Sequence, residues 1–380
     1  MKRVLLTGGR APATLELARL LHAAGADVFM AESQRWHLCK TSRAIQKNIH
    51  VSAPRFNLES YINALIKIIQ TEKIDLLIPT CEELFYVAQG RDSLMKHCQV
   101  LAADIDTLNQ LHNKWLFTQM SLGHGLSVPC TELITSKESL PQWLGKSVVL
   151  KRSYSRFSTE TLIKPTGQDE VEDIEPTEQT PWIAQTFVAG KHFCSYSVVH
   201  QGKITLHGVY QTTFSVGQGT AISFQSVKHA KLFEWVKQFV EAEQFSGQIA
   251  FDFIEDQHGK LFAIECNPRT TSGIHLFHNQ PEILSAFTNP DLELLEPKSK
   301  PSILMFPMLW YLLKNIRSKE SYRQWKTSFR ASRDVIFSGR DLLPGLLQGV
   351  SVAQLLWLSL KNQMSPLAVS TNDIEWNGPS

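Results

Sequence analysis

The sequence lacks a strong excess of charge of either sign. Its 380 residues include 38 lysines and arginines against 36 aspartates and glutamates, so the formal net charge at pH 7 is only +2. Proteins that attract nucleic acid over a distance usually carry a broad basic field. We therefore expect no nucleic-acid partner, and any site for a polyanion must be local.

Cysteine is scarce and scattered. No C-x-x-C pair occurs among the six cysteines, which are Cys39, Cys81, Cys98, Cys130, Cys194 and Cys266. This spacing indicates neither a zinc site nor a disulfide framework. The apolar stretch at 4–6 is too short for a secretory signal and is typical of a buried first strand. These features predict a cytoplasmic protein.

Compositional bias is also absent. Apolar residues make up 43% of the chain, with 20 glycines and 17 prolines, which excludes disorder, collagen and coiled coil. A chain of this length predicts two or three domains with real hydrophobic cores.

The first hundred residues alternate between strands and helices. A strand at 4–6, a helix over 13–24 and a strand over 27–31 predict a β-α-β unit, and the alternation continues to about residue 105. The turn Gly8-Gly9-Arg10-Ala11-Pro12 lacks the G-x-G-x-x-G pattern, and Glu32 follows the second strand without the rest of that fingerprint. The hypothesis of a nicotinamide-dependent oxidoreductase is therefore supported by this β-α-β unit alone.

A helix near 108–122 precedes a different pattern. Short strands with polar or glycine-bearing turns dominate from 147 to 267, which predicts an α+β half. No G-x-S-x-G sequence occurs, so a nucleophilic triad is unsupported.

The stretch 247–269 carries the most informative chemistry. Two strands, 248–255 and 260–267, flank a turn at 256–259. If Glu255 pairs with Lys260, then Asp252 lies opposite Ala263, and strict alternation places Glu265 and Asn267 on the same face as Asp252. The other face, toward the core, then carries Phe251, Phe253, Ile264 and Cys266.

Two carboxylates and an amide oxygen on a rigid strand pair suit a hard divalent cation such as Mg²⁺. Arg269 follows two residues later and adds a fixed positive fork for phosphate oxygens. The alternative is an ordinary polar outer face of a sheet with solvated acids.

The run Glu265-Cys266-Asn267-Pro268-Arg269 resembles the E-x-N-P-R signature of ATP-grasp ligases, in particular carbamoyl-phosphate-synthase-like members of the carboxylate–amine ligase type. The resemblance covers about residues 1–290. It implies an α/β and α+β chain with a Rossmann-like domain over 1–108 and an ATP-grasp clamp over 109–297, divided into subdomains 109–180 and 181–297. We expect a small, mainly helical C-terminal region over 298–380.

The same resemblance implies roles for particular residues. Mg²⁺, or Mn²⁺ in its place, is expected on Asp252, Glu265 and Asn267, and the catalytic residues are expected to be Arg269 and Lys151. Nucleotide contacts are expected from Lys114, Lys151, Arg156, Gln185, Phe187, Val188 and His192.

The implied activity is an ATP-dependent ligation. The enzyme would activate a carboxylate as an acyl phosphate and join it to an amine or another nucleophile, with release of ADP and phosphate. We expect substrate choice to involve Glu82, Glu83 and the loop 217–219. The sequence leaves open whether the chain forms a homo-oligomer.

Two departures from the family pattern support an alternative. No glycine occurs in the stretch 152–159 that follows Lys151, where the family has a glycine-rich phosphate loop, and His192 aligns with the family's ribose-binding carboxylate. The alternative is a nucleotide-binding regulator or membrane-surface scaffold with weakened turnover.

The last eighty residues pose a separate question. Residues 314–340 hold eight lysines and arginines against two acids, and the 19 residues 342–360 carry no charge. Because Pro344 and several polar residues interrupt this apolar run, we expect two short buried helices that form a cap. A peripheral membrane contact through 314–360 and a membrane-spanning segment are the alternatives.

Overall fold

The structure is a computed structural model that describes residues 1–155, 160–216, 220–298 and 300–379. In the N-terminal unit, five strands and four helices alternate: β1 (Arg3–Thr7), α1 (Pro12–Ala23), β2 (Asp27–Glu32), β3 (Lys47–His50), α2 (Leu58–Thr71), β4 (Leu76–Ile78), α3 (Glu83–Gln89), α4 (Arg91–Met95) and β5 (Gln99–Val100).

The five strands pair in parallel in the order β3-β2-β1-β4-β5. This is the strand order of a Rossmann-like half-sheet. Nearly all side chains of its three central strands, β1, β2 and β4, are buried on both faces, as parallel sheets require, whereas the edge strands β3 and β5 are partly exposed. In such a sheet, ligands bind beyond the carboxyl ends of the strands, where β1 and β4 lead into the turns before α1 and α3.

The single helix expected near 108–122 is two helices, α5 (Ile105–His112) and α6 (Lys114–Gly123). Asn113 lies between them in an extended conformation, and its side-chain oxygen accepts hydrogen bonds from the backbone amides of Trp115 and Leu116. An asparagine in this role caps a new helix. The expectation of one helix was therefore wrong, and Lys114 is the first residue of α6.

A small antiparallel sheet follows, in the order β6-β9-β7-β8. Its strands are β6 (Thr131–Ile134), β7 (Val148–Arg152), β8 (Thr161–Ile163) and β9 (Trp182–Thr186). A separate apolar cluster that includes Trp143, Leu150 and Trp182 packs against it.

The large antiparallel sheet has the order β11-β10-β15-β16. This part of the chain comprises β10 (Gly190–His200), β11 (Lys203–Gln211), β12 (Ser215–Val216), β13 (Thr220–Ala221), β14 (Ser223–Phe224), α7 (Ala230–Ala242), β15 (Gly247–Asp256) and β16 (Leu261–Asn267). Aromatic rings of α7 and β15 pack against each other, with Trp235 5.2 Å from both Phe251 and Phe253. This packing fixes the strand that carries Asp252.

The C-terminal region contains α8 (Ile283–Thr288), β17 (Ser302–Ile303), α9 (Met305–Asn315), α10 (Lys319–Ala331), β18 (Arg333–Asp334), α11 (Leu343–Asn362) and α12 (Pro366–Val369). Short 3₁₀ helices elsewhere lie at Leu38–Thr41, Lys137–Ser139, Pro141–Trp143, Asp169–Val171 and Ser272–Phe277.

The expectation of two short buried helices at 342–360 was wrong. One continuous helix, α11, spans Leu343–Asn362, and only 6% of its most apolar window is buried. Pro344 lies in the first turn, where proline is favourable because the amide has no partner in the helix. By length and composition alone this helix could cross a membrane.

Residues 370–376, here called the tail, return to the N-terminal unit. The ring of Trp376 stacks on Phe85 with centroids 5.5 Å apart. The buried guanidinium of Arg10 binds both Glu32 and Asp373. Glu32, the residue that a dinucleotide site would need for the ribose, is therefore committed to Arg10, and the tail lies over it.

Candidate active site

The hairpin of β15 and β16 brings two carboxylates face to face. Glu255 pairs with Leu261 rather than with Lys260, so the predicted register is wrong by one residue at the turn. A bulge then follows, because Phe253 pairs with Ala263 whereas Asp252 pairs with Glu265. The residue inserted by the bulge compensates for the one-residue shift at the turn, so Asp252 and Glu265 lie on the same face and are directly opposed.

Ile264 is the residue inserted by this bulge. It was expected in the core, but the bulge turns it into the wall of a cleft of about 360 Å³. Phe251, Phe253 and Cys266 are buried as expected. The backbone carbonyl of Ile264 accepts a hydrogen bond of 3.2 Å from Lys151 Nζ.

Glu265 affects the ionisation of the opposed Asp252. Burial and the neighbouring Glu265 raise the pKa of Asp252, because a second negative charge in a poorly solvated place disfavours ionisation. A cation placed between the two carboxylates would remove this penalty.

Two lysines reach the same cleft from different elements. Lys114 begins α6, and its Nζ lies 3.8 Å from Glu265 and donates to the Ser155 carbonyl at 2.9 Å. Lys151 projects from β7, and burial together with the neighbouring Lys114 lowers its pKa to about 8, although Glu265 and Asp252 oppose the shift. Both lysines are almost fully buried, so the cleft wall holds two fixed cations beside two carboxylates.

The opposite wall comes from β9 and the chain that leads into β10. Gln185, Phe187, Val188 and His192 all line the cleft. Gln185 is buried, and its side-chain amide donates to Thr131 at 3.2 Å. This segment joins the small and large sheets, so a ligand in the cleft would contact both.

Two other side chains of this group have distinct environments. The ring of Phe187 lies 4.0 Å below the ammonium group of Lys164. Burial lowers the pKa of His192 below its ordinary value, so its imidazole is neutral at pH 7.

Asn267 ends β16, and Arg269 follows two residues later; neither is among the described residues that line the cleft itself. The guanidinium of Arg269 donates to the Asn267 side-chain oxygen at 3.2 Å. Its positive charge acts on Asp252 and also on Cys81 in the loop after β4. Arg269 therefore lies between the cleft and the carboxyl end of the parallel sheet.

The donor set fits a hard divalent cation. Asp252 and Glu265 offer carboxylate oxygens on neighbouring strands, and Asn267 follows two residues after Glu265 on the same strand. Among the described residues no group of three or more His, Cys, Asp and Glu side chains is placed to hold a metal ion. The candidate donors at this site are therefore two acids and one amide.

Several expected residues lie elsewhere. Arg156 and the loop 217–219 fall outside the described residues. Arg152, which follows Lys151, forms an ion pair of 3.0 Å with Glu160. Glu83 accepts hydrogen bonds from the Thr7 hydroxyl and from the amides of Thr80 and Cys81, so its carboxylate fixes the turn after β4. Its expected part in substrate choice stays a prediction.

Glu82 borders a second, smaller cavity of about 150 Å³. His112, Tyr154 and Trp376 line the same cavity, and Glu82 accepts a hydrogen bond of 3.2 Å from the Trp376 amide. This cavity lies between the N-terminal unit, the small subdomain and the tail.

Sequence reasoning missed part of the cleft wall. Cys194 on β10 and Thr212, the residue directly after β11, line it together with Ile264. Cys194 pairs with Asp252 across the β10–β15 ladder, so the alternation of β10 was the signal that could have found it. The tail had no such signal, because nothing in its sequence points to the N-terminal unit.

Comparisons with known proteins find one matching family and several solved structures of similar fold. Residues 111–273 match a protein family described as the ATP-grasp domain. A comparison with curated proteins finds no match.

Solved structures with a similar fold include three informative cases. N5-carboxyaminoimidazole synthetase from Staphylococcus aureus complexed with ADP has a TM-score of 0.63 at 15% identity, over 79% of this chain and 80% of that one. L-amino acid ligase from Bacillus licheniformis has a TM-score of 0.59 at 13% identity, over 79% and 78%. A biotin carboxylase domain of 2-oxoglutarate carboxylase from Hydrogenobacter thermophilus, in complex with MgADP, ADP and bicarbonate, has a TM-score of 0.55 at 13% identity, over 74% and 66%.

Proposed function

Because residues 111–273 match the family described as the ATP-grasp domain, we propose that the chain is an ADP-forming ligase that joins a carboxylate to an amine at the expense of Mg²⁺-ATP. We assign the Rossmann-like domain to residues 1–108, the clamp to 109–297 and the helical region to 298–380. The similar solved structures include an L-amino acid ligase, a synthetase complexed with ADP and a biotin carboxylase domain in complex with MgADP, which supports this class of reaction.

The cleft residues divide the work by charge and position. We assign the nucleotide base to the segment Gln185–Val188, which lines the wall between the two sheets. We assign the phosphate oxygens to Lys114 and Lys151, whose ammonium groups reach the cleft from α6 and β7. A preorganised cation needs no reorganisation when charge develops, which is the main source of electrostatic catalysis.

Asp252, Glu265 and Asn267 would hold Mg²⁺ at the other end of the phosphates. The bound metal supplies charge neutralisation of the transferring phosphoryl group. Arg269, at the boundary with the N-terminal unit, would contact the phosphoryl group on the side from which the carboxylate approaches.

The reaction then has two steps. A carboxylate oxygen bonds to the γ-phosphorus while the bond from this phosphorus to the ADP oxygen breaks, which gives an acyl phosphate and ADP. The amine nitrogen next bonds to the acyl carbon, the carbon–oxygen bond to phosphate breaks, and the amine loses one proton. We assign the acceptor to the cavity beside Glu82, which opens near the cleft residue Ser155.

One observation carries the proposal above the others. Asp252 and Glu265 are directly opposed, with Lys114 3.8 Å from Glu265 and Lys151 hydrogen-bonded to the bulge between the acids. A polar outer sheet face would leave such acids in water, whereas these lie among buried lysines.

The test is thermal unfolding with and without Mg²⁺-ATP. A ligand at about 100 times its dissociation constant adds about 2.7 kcal/mol to the stability of the folded state. We expect the wild type to show this gain in stability and the gain to depend on Mg²⁺. We expect Glu265→Gln to lose it. Glu241→Gln, an exposed position on α7, is the control and should keep the gain.

A screen of ADP release with carboxylate and amine pairs then tests turnover. We expect Glu265→Gln to lower the rate by about 100-fold or more, as for loss of a group that stabilises transition-state charge. If the mutant kept both the Mg²⁺-dependent gain and the rate, the assignment of Glu265 would be wrong.

The second candidate is a nucleotide-binding regulator with weakened turnover. The neutral His192 at the cleft wall favours it, because a carboxylate is the stronger acceptor for a ribose hydroxyl. Mg²⁺-ATP stabilisation without ADP release across the screen would support this candidate, and product formation would exclude it.

A further inference from the structure

Helix α11 turns its apolar side away from the protein. Its exposed side chains include Leu346, Val352, Leu356, Trp357 and Leu360, with exposed fractions from 50% to 82%. The outward side of residues 343–360 carries no charge. A helix on the surface of a water-soluble protein has the opposite arrangement, with its apolar stripe toward the core.

The polar side chains of the same helix lie on the partly buried side. Gln348, Ser351, Gln354 and Ser359 are all partly buried. Gln354 accepts a hydrogen bond of 3.0 Å from the Trp36 amide, and Ser359 donates to the Met364 carbonyl at 2.6 Å. Over 343–360 the glutamines and serines of α11 therefore lie on its partly buried side, together with Leu355 and Leu358, whereas its exposed side is apolar.

Both ends of α11 are fixed to the same globular body. Asp341, just before the helix, binds Arg19 at 2.8 Å and the Ser42 hydroxyl at 2.6 Å. After the helix, the Ser370 carbonyl accepts a hydrogen bond of 3.0 Å from Arg10. The helix, which is about 30 Å long at 1.5 Å per residue, therefore lies along the protein surface and does not project from it.

A second apolar face lies on α9. Phe306, Leu309, Trp310 and Leu313 are exposed at helical spacing, while Met308 on the other side is fully buried. The two helices start from the same segment. The Met305 amide at the start of α9 hydrogen-bonds to Asp334, and Gly345 in α11 packs so closely on Phe337 that an added Cβ would lie 2.8 Å from its ring.

Basic side chains accompany these two faces. On α10, Lys319, Arg323, Lys326 and Arg330 are exposed at spacings of four, three and four, which places them on one side of the helix. Over 305–362 the chain holds nine lysines and arginines against three acids. One of these acids, Asp341, is buried and paired with Arg19.

The tryptophans of both apolar faces carry a basic neighbour. Lys314 Nζ lies 5.1 Å from the Trp310 ring and Lys361 Nζ lies 5.2 Å from the Trp357 ring. Aromatic rings and long basic side chains favour the boundary between lipid tails and headgroups, since one end is apolar and the other is wet.

We propose that α9 and α11 rest in the headgroup boundary of a membrane that contains anionic lipids, with the cations of α10 against the lipid phosphates. Apolar burial supplies the adhesion, and the surplus of lysine and arginine favours anionic lipid. A second copy of the chain fits this surface poorly, because it would bring two basic surfaces together.

Vesicle flotation of the full chain tests the proposal. We expect strong binding to vesicles of phosphatidylcholine with phosphatidylglycerol and weak binding to phosphatidylcholine alone. The double variant Leu346→Gln with Trp357→Gln should bind at least about tenfold more weakly to the anionic vesicles. Its control is Met95→Gln with Leu122→Gln, which removes two exposed apolar side chains elsewhere and should bind as the wild type does.

A second pair of variants tests the charge. Replacement of the four basic residues of α10 by glutamine should abolish the preference for phosphatidylglycerol. Replacement of four exposed lysines outside this region, Lys2, Lys67, Lys96 and Lys237, should leave the preference in place. Unchanged unfolding temperatures will show that every variant is folded, and the Mg²⁺-ATP stabilisation provides an independent readout of the cleft.

Two results would overturn the proposal. One is that the α11 double variant and its control bind the anionic vesicles equally. The other is that sedimentation without vesicles shows a dimer that the α11 double variant converts to a monomer, because the surface would then be an interface between copies.

Discussion

His192 is a neutral side chain at a position where a carboxylate would form a stronger hydrogen bond to a ribose hydroxyl. Hydrogen bonds to charged groups contribute about 1 kcal/mol more than neutral ones. We therefore expect His192→Glu to tighten ATP binding by about fivefold, measured by calorimetric titration. Lys191→Gln, at the exposed neighbouring position, changes the net charge by the same amount and should leave the affinity unchanged. Weaker binding by His192→Glu would place the ribose elsewhere.

His207 is buried on β11 and makes the fold sensitive to mild acid. Burial lowers its pKa to about 4 from an ordinary value of 6.5, and its Nε2 atom has no hydrogen-bond partner. The unfolded chain therefore binds a proton at a higher pH than the folded chain does. Stability that is fully present above pH 6.5 is lost as the pH falls toward 4.

The expected loss from this histidine between pH 7 and pH 5 is about 2 kcal/mol. In His207→Asn, which retains a group able to bond Ser197, the free energy of unfolding should fall less steeply over that range. The measurement is urea denaturation at both pH values. His50→Asn, on the exposed strand β3, should keep the steep dependence, and equal slopes for His207→Asn and the wild type would contradict this account.

The cap at the start of α6 also fixes the position of a lysine that lines the cleft. Asn113 caps two backbone amides, and Lys114 is the next residue. We expect Asn113→Ala to lower the free energy of unfolding by about 1 kcal/mol and to weaken ATP binding as well, because Lys114 loses its fixed position. Denaturation and ATP titration measure the two effects.

Asn57→Ala supplies the matched control. Asn57 caps α2 by accepting a hydrogen bond from the Ser60 amide, in the N-terminal unit. It should show a similar loss of stability with unchanged ATP affinity. If Asn113→Ala also left the affinity unchanged, Lys114 would not depend on the cap.

The β15–β16 hairpin shows how far the pattern of the sequence reaches. Alternation correctly placed Asp252 and Glu265 on one face and Phe251, Phe253 and Cys266 on the other. The turn register and the bulge at Ile264 were not predictable, because both depend on backbone pairing and not on hydrophobicity. Asp252 and Glu265 still lie on one face, because the one-residue shift at the turn and the one-residue bulge together move the pairing by two residues.

Helix α11 shows where the same pattern fails. The rule that apolar runs are buried predicted a cap over the core, and the structure instead exposes this run. Periodicity gives the amphipathic face of a helix but does not say whether protein or another apolar phase covers it. Similarly, apolar periodicity continues through residue 113, so only the capping geometry of Asn113 reveals two helices.

Trp376 joins three distant parts of the chain. Its ring stacks on Phe85, its indole nitrogen donates to Asn109 at 2.7 Å, and its backbone amide donates to Glu82. We expect Trp376→Ala to lower the free energy of unfolding by about 3 kcal/mol, as for other buried tryptophans. Trp357→Ala, at an exposed position on α11, should change it by less than about 0.5 kcal/mol.

Chemical denaturation of both variants measures the difference. Equal effects of the two substitutions would show that the tail contributes little to the fold. The sequence could not predict this contact, because Trp376 stands alone in a polar stretch and its partners lie more than 260 residues earlier.

The tail also determines when the N-terminal unit can complete its packing during synthesis. Asp373 binds Arg10 across a separation of 363 residues. At ribosomal rates of about 5 to 20 residues per second, Asp373 is added roughly 20 to 70 s after Arg10. During that interval the N-terminal unit has an open carboxyl edge and an Arg10 that is paired with Glu32 but not yet with Asp373. Its packing is completed only once the tail has been made, and a chaperone that holds nascent chains would find this edge exposed.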